Sequence, residues 1–341
     1  SEQRGMMLGT FHSVCARILR REAKYLGYTQ DFSIYDEDDQ QALVKRALKE
    51  MNVDDKAFRP ASMLASISRA KNEMLTPEKI EVKGYRDQVL QRVYKRYQEL
   101  LLSCNALDFD DLLVVTARLL KEFPEINNAY SQRFEYILVD EFQDTNTPQY
   151  TLLKSLSKKH GNIFVVGDED QSIYRWRGAD YHNVLRFEKD FPDCTKILLE
   201  QNYRSPQIIL DAARAIIDRN RNRTAKKLFT DRGSGERIVL HDAPDDRSEA
   251  EYVVTTIQEE VKRKRAGYAD VAVMYRTNAQ SRLLEEAFLH AGIAYKLVGA
   301  QRFYGRREVK DGIAYLRLLH NLNDANSLER IINVPARGIG D

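Results

Sequence analysis

Three apolar runs, each ending in polar residues, constrain the fold of this 341-residue sequence more than any other feature. They are "YILVD" (136–140), "NIFVVGD" (162–168) and "KILLEQNY" (196–203), and stretches with helical spacing such as "PQYTLLKSLSKK" separate them. Apolar runs that alternate with helices are typical of a parallel sheet with helices on its faces. Since ligands bind at the carboxyl ends of the strands in open α/β sheets, the polar residues after these runs are the first candidates for a functional site.

The rest of the chain predicts further helical and α/β segments. "MMLGTF" (6–11) is typical of a short buried strand, and residues 12–134 follow a helical pattern. A second α/β series contains the apolar runs "ERIVLHDA", "DVAVMYR" and "AYKLVG" with two helical stretches between them. Beyond residue 299 the pattern is mainly helical. A break between two α/β parts is therefore expected near residues 199–205.

Charge and cysteine content exclude some classes of protein. The formal net charge is only +2, with 53 Lys and Arg against 51 Asp and Glu, so a basic surface for a polyanion must be local. Cys15, Cys104 and Cys194 form no CxxC pair, which argues against a zinc site or a disulfide framework and fits a reducing cytoplasm. No apolar run approaches the ~20 residues that span a bilayer, and no signal peptide is visible. Both ends look cut, so we expect a part of a larger cytoplasmic protein.

The first strand exit carries two acids, Asp140 and Glu141. An aspartate at the end of an apolar run holds Mg²⁺ in P-loop NTPases, and a neighbouring glutamate can deprotonate an attacking water. Solvated acids, or acids that cap the next helix, produce the same pattern. The "FQD" that follows and the similar second strand exit favour the functional interpretation.

The second strand exit, "VVGDEDQSIYRWRGAD", mixes acids, an amide, rings and guanidinium groups. Gln171 can contact a γ-phosphate or the attacking water without adding negative charge. Tyr174 and Trp176 offer flat faces, and Arg175 and Arg177 offer cations. Aromatic rings beside arginine are typical of single-strand nucleic-acid binding, where each stacked base contributes roughly 1–3 kcal/mol. A core tryptophan with solvated arginines is the competing interpretation, and Asp168 is equally compatible with ordering a Mg²⁺ shell and with a solvated loop.

The third strand exit contains Tyr203 and Arg204. Glu141, Gln171 and Arg204 recur at roughly the spacing of one strand–helix unit. Arg204 could stabilise charge on a transferred phosphoryl group, as an arginine finger does, and Tyr203 could stack on a nucleobase. Pairing of Arg204 with a local acid is the alternative.

Taken together, these motifs resemble those of the UvrD/PcrA/Rep family of superfamily 1 DNA helicases. "TFHS", "LDFDDLL", "VDEFQDTN", "VGDEDQSIYRWRGAD", "LEQNYRS" and "YRTNAQSR" follow one another in that family's order across essentially the whole chain. The resemblance implies that Asp140 is the Mg²⁺ ligand, Glu141 the catalytic base and Gln171 the γ-phosphate sensor. It also implies that Arg204 is the arginine finger and Tyr203 the platform for adenine.

The resemblance further implies a set of residues that contact the DNA strand. Trp176 resembles the ring that stacks on a base, and the others are Tyr174, Arg177, Phe109, Thr10, Phe11, His12, Arg276 and Asn278. Structural roles compete for two of them, since His12 could be a helix-start residue and Phe109 a core residue. Asp110 and Asp111 are expected to cap a helix or to accept hydrogen bonds within the fold, and not to bind a metal.

The fold class that the resemblance implies is α/β, with two RecA-like parallel-sheet domains of the P-loop NTPase type and a helical insertion in each. The expected parts are the first RecA-like domain in two pieces (1–11 and 134–198), its helical insertion (12–133), the first part of the second RecA-like domain (199–298) and the start of its helical insertion (299–341). No GxxxxGK[ST] P-loop occurs in the sequence, nor do the late motifs of the family.

The implied function is ATP-dependent movement from 3′ to 5′ on single-stranded DNA with duplex unwinding, in DNA repair or replication restart. ATP and Mg²⁺ are the implied cofactors, and single-stranded DNA and ss/ds junctions the implied ligands. DNA-repair proteins are the implied partners of a monomer, without a membrane. Two alternatives stay open: the helicase portion of an AddA/RecB-like helicase–nuclease, and a non-catalytic DNA-binding module with helicase architecture.

The missing P-loop predicts that this 341-residue chain by itself does not turn over ATP, because the amides and lysine that hold the β- and γ-phosphates are absent. Steady-state ATPase assays on the purified chain check this expectation. Turnover that Glu141→Gln abolishes would contradict it.

Overall fold

The computed structural model describes residues 6–174, 178–180, 182–220, 226–298 and 307–339, which fall into two compact units. The first unit comprises residues 1–198, 220–225 and 311–341, and the second comprises residues 199–219 and 226–310. Trp176 and Arg177 lie outside the described residues. The domain boundaries expected from the sequence stay predictions.

The described chain is rich in helices, with short strands in parallel pairs. In chain order the elements are α1 (Phe11–Glu22), β1 (Ser33–Ile34), α2 (Glu37–Glu50), α3 (Pro60–Asn72), α4 (Tyr85–Ser103), β2 (Ala106–Leu107), α5 (Phe109–Glu122), α6 (Pro124–Arg133), β3 (Ile137–Val139), α7 (Thr147–Ser157), β4 (Ile163–Val165), α8 (His182–Asp190), α9 (Gln207–Ile217), α10 (Asp246–Lys262), α11 (Ser281–His290), α12 (Arg307–His320) and α13 (Ala325–Ile331). β1 pairs with β2 and β3 with β4, both in parallel.

Helices α1 to α6 confirm the helical pattern predicted for residues 12–134. Thr10, Asp36 and Asp108 begin α1, α2 and α5 by accepting a hydrogen bond from the backbone N–H three residues further on. Asp39 and Asp111 complete capping boxes at α2 and α5. The paired strands β1 and β2, which the sequence did not predict, join the ends of the loops that precede α2 and α5.

Two hydrophobic clusters hold these helices together. The first joins α1 and α5 around Leu19 and Leu119, and the second joins α2, α3 and α4 around Leu48, Ile67 and Tyr97. All five side chains are buried. Burial of a side chain of this size stabilises a fold by about 1.5–3 kcal/mol, so the helices need no ligand to pack.

A buried ion cluster joins α3 to the start of α5. Lys71 Nζ lies 2.6 Å from Asp108 Oδ2 and 2.8 Å from Asp111 Oδ1, and Tyr97 on α4 donates a hydrogen bond to Asp108 Oδ2 at 2.8 Å. Burial alone would lower the pKa of Lys71, but the two carboxylates raise it overall. Burial, with repulsion from Asp108, raises the pKa of Asp111 to about 7. The expectation that Asp111 has a capping and hydrogen-bonding role is confirmed.

Strands β3 and β4 confirm two of the predicted strands. Their register pairs Ile137 with Ile163 and Val139 with Val165. Val139 packs in a third hydrophobic cluster with Phe142, from the turn after β3, and with side chains of α7 and α8. This cluster fixes the ends of the two strands, where the predicted acids and amide follow.

The helical segment after residue 307 packs on the α2 region of the first unit. Tyr35 OH and Ser33 Oγ donate hydrogen bonds to the buried Asp324 carboxylate at 2.6 and 3.0 Å. Arg317 Nη1 lies 2.6 Å from Asp39 Oδ2. Polar contacts between distant parts of the sequence therefore place this segment.

The second unit confirms the predicted helices and contradicts the predicted strands. Helices α10 and α11 match "SEAEYVVTTIQEEVKRKR" and "QSRLLEEAFLHAG". The runs "ERIVLHDA", "DVAVMYR" and the described part of "AYKLVG" are assigned to no strand, and of "KILLEQNY" only Gln201 forms a backbone bridge, with Phe229. A strand requires a hydrogen-bonded neighbour. Leu240 and Met274 in these runs are 95% and 92% exposed, because no described element packs over them.

The predicted strand at residues 6–11 is also wrong within the described structure. Residues 6–10 belong to no strand, and Phe11 is the first residue of α1. Thr10 caps that helix, which ends the extended segment before it can form a ladder. Among the described residues, no helix combines the length and the apolar content that a membrane crossing requires.

Replacing Lys71 with methionine tests the buried ion cluster. The substitution leaves Asp108 and Asp111 buried without a cation, which typically costs about 3–5 kcal/mol. We expect the free energy of unfolding of the chain, measured by urea denaturation with far-UV circular dichroism, to fall by that amount. Lys83→Met is the matched control, because Lys83 is 74% exposed and pairs only with the similarly exposed Glu81 among described residues. Equal unfolding midpoints for the two variants would contradict a stabilising role for the cluster.

Candidate functional site

The ends of β3 and β4 lie side by side. Val166 N donates to Val139 O at 2.8 Å, and Phe142 N donates to Val166 O at 2.9 Å, so backbone pairing continues past both strands. The acids Asp140 and Glu141 therefore stand beside the segment that leads from β4 to Asp168. The structure thus brings together the first two predicted strand exits.

Glu141 adopts an unusual backbone conformation at this edge. Its φ of 50° and ψ of 42° lie in the left-handed region, which residues with a side chain seldom occupy. The Glu141 N–H donates to Asp140 Oδ1 at 3.0 Å, and both residues are exposed. Conformations of this kind occur preferentially at functional sites. Here the conformation turns the chain directly from β3 into the single helical turn Phe142–Asp144.

Gln143 connects the two strand exits through its buried carboxamide. Its Nε2 donates to Glu141 Oε2 at 2.7 Å, and its Oε1 accepts the Asp168 N–H at 2.9 Å. A Cβ at Gly167 would lie 2.8 Å from Gln143 Oε1, so the close approach of the two segments requires glycine there. One carboxamide thus fixes both the Glu141 side chain and the backbone after β4.

Asp168 extends this hydrogen-bond chain to Gln171. Asp168 Oδ2 accepts from Gln171 Nε2 at 2.9 Å, and Asp168 Oδ1 accepts from the Asp170 N–H at 3.1 Å. Asp168 therefore orients the exposed Gln171 side chain within the loop. Glu141 and Gln171 are joined through Gln143 and Asp168, although they follow different strands.

The donor set after β3 fits a cation that is shared with a phosphate ligand. Among the described residues, no group of three or more His, Cys, Asp or Glu side chains is placed to hold a metal ion. Mg²⁺ at a phosphate usually takes only one or two carboxylates from the protein, and Asp140 offers an exposed one. Asp144 Oδ1 is buried without a hydrogen-bond partner among those residues. Burial, with repulsion from Glu141, raises the pKa of Asp144.

Two predicted DNA-contact residues, His12 and Phe109, meet in the fold. Their ring centroids lie 6.0 Å apart with an interplanar angle of 68°. Phe109 is 52% exposed and is therefore not a core residue, while burial lowers the pKa of His12. Thr10 is exposed at the start of α1, and Phe11 is half-buried against the first and third hydrophobic clusters.

The loop after Gln171 is described only in part. Tyr174 is 37% exposed, and its carbonyl oxygen accepts from the Ala179 N–H at 3.3 Å. Trp176 and Arg177, which were predicted beside Tyr174, lie outside the described residues. Their predicted contacts with DNA stay predictions.

The remaining predicted residues belong to the second unit. Tyr203 is 75% exposed, and its hydroxyl donates to Gln201 Oε1 at 2.7 Å. The Arg204 side chain is exposed, and its backbone N–H donates to Asn202 Oδ1 at 2.9 Å. Two further predicted residues, Arg276 and Asn278, are exposed around a short turn.

Two family models cover almost the whole chain. The model of the UvrD/REP helicase N-terminal domain matches residues 1–192, and that of the UvrD-like helicase C-terminal domain matches residues 197–341. The chain belongs to the UvrD/Rep helicase family.

Curated proteins of this family are closely similar to the chain. The ATP-dependent DNA helicase PcrA of Staphylococcus epidermidis is 49% identical over 343 residues, which cover 99% of this chain and 47% of that protein. The protein of the same name from Staphylococcus aureus strain Mu50 is 49% identical over 337 residues, which cover 98% of this chain and 46% of its own length. The chain thus spans about half the length of the curated relatives it matches.

Sequence reasoning missed one residue of this UvrD/Rep-family site and left another undecided. Gln143 was not among the predicted site residues, although an amide within the otherwise acidic "DEFQD" was a visible signal. For Asp168 the sequence did not decide between a residue that orders a Mg²⁺ shell and a solvated loop residue. Its side-chain bond with Gln171 identifies it as an orienting group. Both roles depend on contacts between two strand exits, which the linear motif does not specify.

Substituting Gln143 with leucine tests the connection between the strand exits of this UvrD/Rep-family chain. Leucine is of similar size but leaves the half-buried Asp168 N–H and the exposed Glu141 carboxylate without their partner. A hydrogen bond of this kind contributes about 0.5–1.5 kcal/mol, so we expect a loss of that order in the free energy of unfolding of the chain. Gln132→Leu on the exposed face of α6 is the control. If both variants unfold at the same urea concentration, Gln143 does not hold the two exits together.

Proposed function

We propose that this chain is the motor portion of an ATP-dependent helicase that moves from 3′ to 5′ along single-stranded DNA and unwinds duplex DNA. Membership of the UvrD/Rep helicase family supports this proposal. So does the 49% identity to proteins named ATP-dependent DNA helicase. The main structural support for the proposal is the series of hydrogen bonds from Glu141 to Gln171. These bonds hold a candidate base and a candidate phosphate sensor at neighbouring strand ends.

The nucleotide roles follow from the chemistry of this edge. Asp140 would hold Mg²⁺, which when bound neutralises charge on the phosphates. Glu141 would accept a proton from the attacking water. The bond from Gln143 to Glu141 Oε2 restricts the direction of that carboxylate. Gln171, held by Asp168, would sense the γ-phosphate through its neutral amide.

We further propose that the two parts of the chain form RecA-like domains of the P-loop NTPase type, and that the first part of the second domain, residues 199–298, carries Tyr203 and Arg204 near its start. Arg204 would act as the arginine finger, because its exposed guanidinium can stabilise charge on the transferred phosphoryl group. Tyr203 would stack on adenine with its exposed ring.

For DNA we propose a track of aromatic and polar side chains. The exposed ring of Phe109 next to His12 supplies a surface on which a base can stack. Trp176 would supply a second ring. The other proposed contacts are Thr10, Phe11, Tyr174, Arg177, Arg276 and Asn278.

The proposed ligands are ATP, Mg²⁺, single-stranded DNA and ss/ds junctions. We place the activity in DNA repair or replication restart in the cytoplasm. The protein would act as a monomer together with DNA-repair proteins.

Glu141→Gln in the full-length gene product tests the proposed chemistry. Loss of a positioned base typically slows a reaction about 100- to 10,000-fold, so we expect ATP hydrolysis stimulated by single-stranded DNA to fall by at least 100-fold. Binding of DNA should persist, because the substitution keeps the size of the side chain. The measurement is steady-state ATPase with and without oligo-dT, with DNA binding followed by fluorescence anisotropy.

Glu135→Gln is the matched control, since this exposed glutamate precedes β3 and lies outside the proposed site. Duplexes with a 3′ or a 5′ single-stranded tail report direction, and we expect unwinding only of the 3′-tailed substrate. A wild-type protein that binds DNA without DNA-stimulated hydrolysis would instead support the non-catalytic module, and DNA cleavage would support the helicase–nuclease.

A further inference from the structure

Asn72, the last residue of α3, makes side-chain hydrogen bonds with two segments far from it in the sequence. Its Nδ2 donates to Asp110 Oδ1 at 3.2 Å and to the Ser68 carbonyl at 2.8 Å. Its Oδ1 accepts from Asn146 Nδ2 at 2.7 Å. The carboxamide thus acts as donor and acceptor at the same time, which neither a carboxylate nor an apolar side chain can do.

Through its Nδ2 donor, Asn72 contacts Asp110, the neighbour of Phe109, whose exposed ring is proposed to stack on a base. Phe109 lies between Asp108, which is bound to Lys71, and Asp110, which is bound to Asn72. The last two residues of α3 therefore hold the residues on both sides of Phe109. A shift of the Phe109 backbone acts on the neighbouring residues Asp108 and Asp110, and so on their contacts with Lys71 and Asn72.

Through its Oδ1 acceptor, Asn72 contacts Asn146, which lies after the turn that carries Glu141. Asn146 follows that turn and begins α7, where its buried side chain caps the helix by accepting from the Gln149 N–H at 3.0 Å. The neighbouring Thr145 carbonyl accepts from the Asp180 N–H at 3.0 Å and from Asn183 Nδ2 at 2.9 Å. The same short stretch thus connects to the segment that follows Gly178.

Gly178 packs directly against the Asn72 carboxamide. Its φ of 87° favours glycine, and a Cβ there would lie 3.1 Å from the Cβ, Cγ and Oδ1 atoms of Asn72. Gly178 belongs to the loop whose ends are joined by the bond from the Ala179 N–H to the Tyr174 carbonyl. Three parts of the chain therefore meet at one side chain: the start of α5, the segment after β3 and Gly178.

We propose that Asn72 is a positioning residue that couples DNA contact at Phe109, and the position of Gly178, to the turn that carries Glu141. The inference rests on the proposed function and assigns a route between the proposed DNA contact at Phe109 and the proposed catalytic base Glu141. A base that displaces the start of α5 at Phe109 moves Asn72, and Asn72 moves Gly178, Asn146 and the turn before Asn146. Couplings carried by packed polar side chains typically change a rate or affinity a few-fold when one member is removed.

Two substitutions interrupt this route at different points. Asn72→Ala removes the hydrogen bonds with Asp110 and Asn146, together with the bond to the Ser68 carbonyl. Asn146→Asp keeps an oxygen that caps α7, because aspartate is as good an N-cap as asparagine, but it replaces the donor to Asn72 Oδ1 with a second acceptor. Asn128→Ala is the control, since Asn128 is exposed on α6 and, among the described residues, its side chain forms no hydrogen bond, while its backbone carbonyl accepts from Ser131 Oγ.

We expect both variants of the full-length gene product to lose DNA stimulation of ATP hydrolysis. The ratio of the rate with oligo-dT to the rate without DNA should fall roughly threefold to tenfold, while the KM for ATP changes less than this ratio. The double variant should be no worse than the more impaired single variant, because both changes cut the same route. Additive losses, equal losses with and without DNA, or an unchanged ratio would overturn the coupling role.

A second measurement does not depend on ATP hydrolysis. Trp176 is the only tryptophan of the 341-residue chain, so acrylamide quenching of the fluorescence of this chain reports on the residues next to Gly178. We expect Asn72→Ala and Asn146→Asp to change the quenching constant, and Asn128→Ala to leave it as in the wild type. Unchanged quenching in both variants would overturn the proposal. If the variants change quenching but the wild type shows no DNA-stimulated hydrolysis, the proposed function fails and the positioning role of Asn72 stands.

Discussion

The buried contact of Lys71 with Asp108 and Asp111 holds together the part of the fold that presents the candidate DNA-binding ring. Lys71 and two acidic side chains have left water, and separating the lysine from the carboxyl groups would leave uncompensated charge in the interior. The end of α3 and the start of α5 are therefore constrained to move together. Phe109 is exposed at this point because the residues on either side of it are held inward. The same contact places Asn72, the next residue of α3, against Asp110.

One carboxamide connects this region to the candidate site after β3 and β4, and a second holds that site together. Gln143 joins Glu141 to the backbone after β4, and Asn72 joins the start of α5 to Asn146 after β3. Each uses one donor and one acceptor, so each joins two segments with a single neutral side chain. A neutral group suits this position because acids already crowd the strand ends, where Glu141 contributes to the raised pKa of Asp144.

The predicted helices were largely correct, and the predicted strands were correct only where a neighbour was present. Helices depend on local periodicity and on caps such as Asp36 and Asp108, which are visible in the sequence. A strand depends on a partner that is distant in the chain, and the run at 270–276 forms no ladder within the described residues. Strands β3 and β4 formed as predicted because each supplies the other's hydrogen bonds.

The motif order and the chemistry available at each strand end can be taken from the sequence, because they depend only on residue type and spacing. They were enough to name the family and to select Asp140, Glu141 and Gln171. The sequence could not show that His12 meets Phe109, or that Asn72 binds Asn146 from 74 positions away. Such contacts follow from how helices pack and where buried charge must be neutralised, and the folded chain alone brings these side chains together.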